Sequence, residues 1–412
     1  MSTERDVEMP RDNIKEMASK KAEAEAQAEL EVAEITNWDE LDLDANILRG
    51  IYANGYEKPS PIQRKAISPI ISGRDIIAQA QSGTGKTATF TIGALSRIDL
   101  KKNVTQILAL SPTRELAIQT MDVMAKIGLM MNDLKTQLLV GGNSIDDDIR
   151  NLRDNVPHII TGTPGRIYDM MRRNCIGAKN IKLIILDEAD EMLSSGFKEQ
   201  VYNIFQYLNR DVQVALFSAT LPEHISSITN KFMRNPVNIQ VKADQLTLEG
   251  IAQYYVAVED DRQKYMTLKD LYSVISLSQG IIYCNSIKRV VDLYEAMLED
   301  GFPVCCIHSN MDKRDRDMAF ADFKSGKYRV LISSNVTSRG IDIQQLSVVI
   351  NFDIPKDVHN YLHRIGRSGR WGRKGVGINL ITRRDIIKLK EIESYYSTQI
   401  TELPANFDNL LK

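Results

Sequence analysis

Two acidic residues, Asp187 and Glu188, follow directly on the apolar run Leu183-Ile184-Ile185-Leu186. A short run with no polar position reads as a strand buried on both faces of a parallel sheet, so the acids stand at its carboxyl end. Upstream lies Ala80-Gln81-Ser82-Gly83-Thr84-Gly85-Lys86-Thr87, which has the residue types of a phosphate-binding loop. Gly83 and Gly85 allow the main chain to approach an anion, and the helix that follows presents free N–H groups to it. Ser82, Gly83, Thr84 and Gly85 would then wrap the phosphates, Lys86 would reach the β and γ phosphates, and the Thr87 hydroxyl would ligate magnesium. Asp187 would bind that ion directly or through water, and Glu188 would orient the attacking water. The general pattern opens on glycine, and this chain has Ala80 there. An acidic pair can also serve a helix macrodipole, but the buried strand before it and the phosphate loop upstream point to chemistry on a nucleotide, with ATP and Mg2+ as the expected cofactors.

A second set of charges lies far along the chain, in His363-Arg364-Ile365-Gly366-Arg367-Ser368-Gly369-Arg370. A spacing of three predicts Arg364, Arg367 and Arg370 near one helical face. Such a cluster suits a γ-phosphate in its transition state, where charge is spread over the equatorial oxygens. A solvated basic face or a patch for RNA phosphates is the alternative. The chain holds one phosphate loop, and a site of that kind needs a cationic partner from across a cleft, which favours the first reading.

The elements that must position these groups alternate in type. Ile76-Ile77-Ala78, Ile107 to Leu110, His158-Ile159-Ile160, Leu183 to Leu186 and Val212 to Phe217 read as strands, with amphipathic segments such as Glu115 to Leu129 and Gln200 to Leu208 between them. The rhythm returns in Gly280 to Tyr283, Val304 to Ile307, Val330 to Ile332 and Val348 to Ile350. Alternation of this kind predicts an α/β fold with parallel sheets covered on both faces. At 412 residues the chain is too long for one ordinary domain. The expected division is a disordered or weakly helical tail over residues 1–37, an ATP-binding domain over 38–241, a linker over 242–250 and a second α/β domain over 251–412, with the site in the cleft between the domains. A hydrophobic content of 43% and a charged content of 26% describe a globular chain. No apolar run approaches a membrane span and no secretion signal is present, so no membrane partner is expected. Cys175, Cys284, Cys305 and Cys306 lack zinc-site spacing and read as reduced thiols of an intracellular protein. With a net charge of −2, any nucleic acid must be held by local basic loops.

Taken together, and from about Trp38 to the C-terminus, these residues resemble the DEAD-box RNA helicases. The resemblance implies two RecA-like domains joined by a short linker, with ATP and RNA bound across the cleft. Gly55-Tyr56-Glu57-Lys58-Pro59-Ser60-Pro61-Ile62-Gln63, with Trp38 upstream, is similar to the family's adenine-reading motif. By that match Gln63 bonds the adenine edge, Tyr56 stacks on the ring, and Trp38 stands where Phe is usual. Ser218-Ala219-Thr220 matches the motif that couples hydrolysis to unwinding, through hydroxyls that bridge the acids near Asp190 to the other domain, with His363 in the same coupling set. Arg367 and Arg370 are implied to act on the γ-phosphate, and Asp342 on the ribose. The RNA contacts implied are Pro112, Thr113 and Arg114, Gly142 after Gly141, Thr163 and Arg166, and Arg339 from the second domain. Backbone amides, hydroxyls and arginines of this kind grip phosphates and 2′-hydroxyls without reading bases. Thr113 and Thr163 are each also readable as simple helix caps.

The second-domain RNA face departs from the family at Asn335 for Asp, Ser338 for Ala, Ser309-Asn310 for Gly-Asp and Lys313 for Gln. Within the family, Asp190 to Gln200, Leu246 to Ile251 and Tyr396 to Ile400 resemble the translation initiation factor four-A branch, whose nuclear relative works in exon-junction complexes and ribosomal RNA processing. The implied protein is a cytoplasmic monomer that unwinds short RNA duplexes, steered by regulators that bridge both domains, such as a translation scaffold protein. The alternative is a nuclear, ATP-gated RNA clamp with exon-junction or pre-ribosomal partners. A DNA-directed motor is the rival from outside the family.

Overall fold

The computed structural model describes residues 34–404 apart from 81–82, 195, 222–228, 230, 241–250, 276–278, 336–345, 367 and 369–374. Two seven-stranded sheets organise them. The first contains β1 (Ile76–Gln79), β2 (Ile107–Leu110), β3 (Thr136–Leu139), β4 (Ile159–Gly162), β5 (Leu183–Asp187), β6 (Gln213–Ser218) and β7 (Val237–Gln240), in the order β3-β4-β2-β5-β6-β1-β7. The second contains β8 (Ile251–Ala257), β9 (Gln279–Tyr283), β10 (Val304–Ile307), β11 (Val330–Ser333), β12 (Leu346–Asn351), β13 (Gly375–Ile381) and β14 (Thr401–Glu402), in the order β10-β11-β9-β12-β13-β8-β14. Every pairing in both sheets is parallel.

The apolar runs become central strands because helices cover both faces. All five residues of β5 are buried. Alternate side chains then feed different cores: Ile185, Ala215 and Phe217 pack with Ile76 and Ala78 on one face, while Ile184, Leu186, Val214 and Leu216 pack with Leu108 and Ile160 on the other. The second sheet is likewise packed on two faces, Ile282, Ile332 and Ile350 on one and Ile281, Leu331 and Val349 on the other. Strands without that apolar signature escaped the sequence reading. β3 is a half-buried edge with polar Thr136 and Gln137, β8 alternates Gln253 and tyrosines, and β13 is interrupted by Gly375, Gly377 and Asn379. The first core also takes in Ile35, 5% exposed, whose N–H donates to the Arg64 carbonyl at 3.2 Å. Residues expected to belong to the tail therefore pack before Trp38. The expected linker 242–250 and residues 1–33 lie outside the described residues. All four cysteines are free thiols, and no described helix is long and apolar enough to cross a membrane.

Arg364 corrects the expectation of a phosphate-facing arginine triad. It sits on the helix Val358–Ile365 and is fully buried within the second domain. Its Nε and Nη2 donate to Asn335 Oδ1 at 2.9 and 2.7 Å, Nη1 donates to Asn351 Oδ1 at 3.0 Å and to the Asp353 carbonyl at 2.8 Å, and Nη2 also donates to Asn285 Oδ1 at 2.8 Å. The guanidinium lies 5.2 Å from the centre of the Tyr283 ring. The carboxylate of Asp353 is occupied by Arg289, at 2.7 and 2.6 Å. Three amide oxygens and a carbonyl thus hold a buried cation, and burial pulls its pKa down to about 10. Arg364 ties the ends of β9, β11 and β12 together and is a structural residue. Its replacement by Met takes a donor away from Asn285, Asn335 and Asn351 at once. The expected result is a loss of about 3 kcal/mol or more in second-domain stability, measured as a shift of its urea unfolding midpoint.

Candidate nucleotide and RNA site

Parallel strands deliver the phosphate loop, the acids and the loops expected to meet RNA to one edge of the first sheet, at the strands' carboxyl ends. The phosphate loop follows β1, the acids end β5, Ser218 ends β6, and the Thr113 and Thr163 loops follow β2 and β4. Register aligns Gln79 with Ser218 and Asp187 with Phe217, so the three central tips stand level.

Gly85 is the N-cap of the helix Lys86–Ser96 at φ 98°, a left-handed conformation that glycine adopts without strain. A Cβ there would meet Gln63 Nε2 at 2.8 Å and Ser60 Oγ at 3.1 Å, so Gly85 also makes room for the neighbouring loop. Lys86 is buried, with Nζ 3.4 Å from Glu188 Oε1. Thr87 follows it in the first helical turn, half-buried. Asp187 and Glu188 are each 3% exposed, and the Glu188 N–H donates to Asp187 Oδ1 at 3.1 Å. Glu188 holds φ 52°, an uncommon conformation for a side-chain-bearing residue and one that concentrates at functional positions. Burial, and next the adjoining Glu188 charge, push the Asp187 pKa well above the usual carboxylate range, against the pull of Lys86. Two buried carboxylates beside one ammonium, with a hydroxyl close in sequence, form a donor set that fits a hard divalent cation such as magnesium.

On the adenine side the three expected residues play different parts. Tyr56 is half-buried at the edge of the first core. Gln63 is 2% exposed; its Oε1 accepts from the Ser60 N–H at 2.7 Å while Nε2 donates to the Gly85 carbonyl at 3.4 Å. The amide therefore links the segment expected to read adenine to the phosphate loop. Trp38 is fully buried, and its indole N–H donates to the Tyr56 carbonyl at 2.8 Å. The indole thus anchors the main chain that carries Tyr56.

The four residues expected to couple the domains meet at one point. Thr220 Oγ1 donates to Asp190 Oδ2 at 2.7 Å, the Asp190 N–H donates to Ser218 Oγ at 3.4 Å, and Ser218 Oγ donates to the Thr220 carbonyl at 2.6 Å. From the second domain, His363 Nε2 reaches Asp190 Oδ2 at 3.1 Å, with both side chains buried. Glu188, Asp190 and His363 bring ligating atoms within 4.8 Å of one another, but Asp190 is already engaged by Thr220 and His363.

The residues expected to meet RNA differ in exposure and in partners. Gly142 is exposed, and Arg114 Nη1 donates to the Gly141 carbonyl at 2.9 Å. Thr113 caps its helix by accepting from the Leu116 N–H at 3.3 Å, whereas Thr163 heads the helix Pro164–Arg172 without a side-chain capping bond. Pro112 is buried. Arg166 has 9% side-chain exposure, pairs with Asp148 and donates to the Asn143 carbonyl at 2.9 Å. Pro112 and the Arg166 guanidinium are thus engaged within the first domain, beside the exposed Gly141-Gly142 turn. Ser82, Arg339, Asp342, Arg367 and Arg370 lie outside the described residues.

Sequence reasoning missed the polar seam between the domains. Arg316 Nη2 donates to Glu115 Oε2 at 2.8 Å, Arg114 Nη2 lies 3.8 Å from Asp317 Oδ2, and Lys313 Nζ donates to Asn143 Oδ1 at 2.7 Å. Positions 313, 316 and 317 share one face of the helix Lys313–Lys324. That charged face was the available signal, but spacing alone cannot name its partner.

Comparison with known proteins places these features together. Residues 60–228 match the family model described as DEAD/DEAH box helicase, and residues 263–372 match the helicase conserved C-terminal domain. The chain is 50% identical over 377 residues to eukaryotic initiation factor 4A of Caenorhabditis elegans, covering 92% of this chain and 93% of that one. It is 50% identical over 381 residues to the ATP-dependent RNA helicase fal1 of Schizosaccharomyces pombe, covering 92% and 96%. Among solved structures, S. cerevisiae Dbp5 bound to RNA and ADP BeF3 superposes with a TM-score of 0.84 at 34% identity, over 89% of this chain and 95% of that one. A DEAD box protein from Methanococcus jannaschii, 36% identical over 90% of this chain and all of that one, superposes at 0.52. With both halves of its sequence matched and both of its sheets in place, this chain belongs to the DEAD/DEAH box helicase family.

Proposed function

We propose that this protein is an ATP-dependent RNA helicase, an RNA-stimulated ATPase that binds single-stranded RNA without sequence preference and opens short duplexes. The observation that carries the reading is the contact between Asp190 and His363, because it joins the strand end bearing the acids to the second domain. The likeness to Dbp5 bound to RNA and ADP BeF3 supports a closed arrangement of the two halves. In that arrangement ATP lies against the loop ending in Lys86 and Thr87, with adenine near Tyr56 and Gln63. Lys86 holds the terminal phosphates and Glu188 positions the attacking water. A magnesium ion held by Thr87 and Asp187 would neutralise phosphate charge. Asp190, Ser218, Thr220 and His363 make hydrolysis and domain closure interdependent, and Arg367 and Arg370 complete the phosphate site from the second domain. RNA runs over the Thr113, Gly142 and Thr163 loops and past Arg339, held through its backbone, in a shape that a continuous duplex cannot keep. Asp342 reads the ribose.

The relatives named initiation factor 4A support a place in translation initiation, hence in the cytoplasm, with a scaffold protein that touches both domains. A variant of Dbp5 bound to a variant of Gle1 and IP6 gives a precedent for a protein partner in this family, since that Dbp5 chain is 34% identical to this one. A duplex-unwinding assay on the purified chain separates a helicase from a clamp that needs its partner.

The wild-type chain should show ATP hydrolysis stimulated by single-stranded RNA and little stimulated by DNA of the same sequence; equal stimulation by DNA would point to the DNA-directed motor. Lys86→Ala removes the buried ammonium next to Glu188, and turnover should fall by about two orders of magnitude or more, while circular dichroism remains that of the folded chain. Glu188→Gln keeps the shape but cannot orient water as a base does. It should retain ATP and RNA together in a filter-binding assay, and prompt RNA release from it would oppose the assigned role.

A further inference from the structure

Lys313 stands at the first position of the helix Lys313–Lys324. A cation there opposes the helix macrodipole, which favours negative charge at the N-terminus by a few tenths of a kcal/mol or more. Local helix stability therefore does not account for the residue. Its ammonium instead crosses the cleft and donates to Asn143 Oδ1 at 2.7 Å. Asn143 is the half-buried end of the exposed Gly141-Gly142 turn, and first-domain groups hold the same residue from two other directions. Arg114 Nη1 approaches Asn143 Oδ1 at 3.4 Å, and Arg166 Nη2 donates to the Asn143 carbonyl at 2.9 Å. One carboxamide oxygen thus receives a donor from each domain.

We propose that Lys313 is a positioning residue that ties closure of the second domain to the shape of the Gly141–Asn143 turn. By this means it sets how much RNA is needed to close the cleft, rather than how fast ATP is hydrolysed once the cleft is closed. The proposal rests on the RNA-stimulated ATPase reading above and deepens it. The contact lies in the seam with the Arg316–Glu115 pair, but the two differ in kind. Arg316 and Glu115 are mostly buried and oppositely charged, whereas Lys313 is exposed and meets a neutral oxygen that also serves the RNA turn. Loss of the ammonium leaves Asn143 to the first-domain donors Arg114 and Arg166, and removes its direct tie to the second domain.

The test is a titration of single-stranded polyuridylate against ATP hydrolysis for the full-length wild type, Lys313→Ala, Lys313→Arg, Asn143→Ala and the Lys313→Ala/Asn143→Ala double variant. For an exposed polar contact, Lys313→Ala should raise the half-saturating RNA concentration about two- to fivefold while leaving kcat at saturating RNA close to wild type. Lys313→Arg should restore most of the RNA dependence. The double variant should be no worse than the weaker single variant, because both remove the same contact. Thermal midpoints of the two Lys313 single variants should stay at the wild-type value, since Lys313 is exposed. An unchanged half-saturation in Lys313→Ala overturns the proposal. So do additive effects in the double variant, which would mean that the ammonium acts on RNA without Asn143. A wild type with no RNA stimulation would refute the functional reading itself, and this inference with it.

Discussion

The carboxylate of Asp190 is shared between two domains, and the rest of the site depends on that sharing. Thr220 holds Asp190 Oδ2 from within the first domain and His363 reaches the same oxygen from the second. A buried carboxylate is costly without partners. Its neighbours include Glu188, two residues earlier, so any movement of the second domain is felt at the acids. The polar seam of Glu115 with Arg316 and Arg114 with Asp317 repeats the pattern beside the Gly141-Gly142 turn. Nucleotide chemistry and polymer binding thereby share one mechanical variable, the separation of the two sheets.

Sheet topology explains why such sharing is available. All-parallel strands send their carboxyl ends the same way, so groups far apart in sequence meet at one edge without long loops. Ser60 and Gln63 illustrate the compactness of this arrangement: both touch the space beside Gly85, so the segment expected to read adenine also limits what can stand at the phosphate loop. Glu188 departs from easy backbone geometry at the same edge.

Much of this was legible in the sequence, and the limits follow from physics. β5 and the phosphate loop were readable because burial on both faces demands an unbroken apolar run, and anion binding demands glycine with a following helix. β3 and β13 were not, because an edge strand tolerates polar Thr136 and a strand packed closely against its neighbour tolerates Gly377. The family resemblance implied Asp190, Ser218, Thr220 and His363 as one functional set, and the structure brings them into contact. Helical spacing misassigned Arg364. Residues three apart share a helical face only while the helix lasts, and this one ends at Ile365. Arg364 then points inward to Asn285, Asn335 and Asn351. Burial, which no periodicity reports for a single arginine, decides its part.

On this account the catalytic set works only when the two domains meet along the observed seam. Exchange of charge across that seam tests the dependence most directly, because Arg316 and Glu115 touch each other across the domains and neither bonds a nucleotide residue in the contacts described. RNA-stimulated ATP hydrolysis should fall in Glu115→Arg and in Arg316→Glu, each of which sets like charges face to face, and should recover substantially when both substitutions are combined. A double variant as impaired as the sum of its parts, or single variants as active as wild type, would contradict the account.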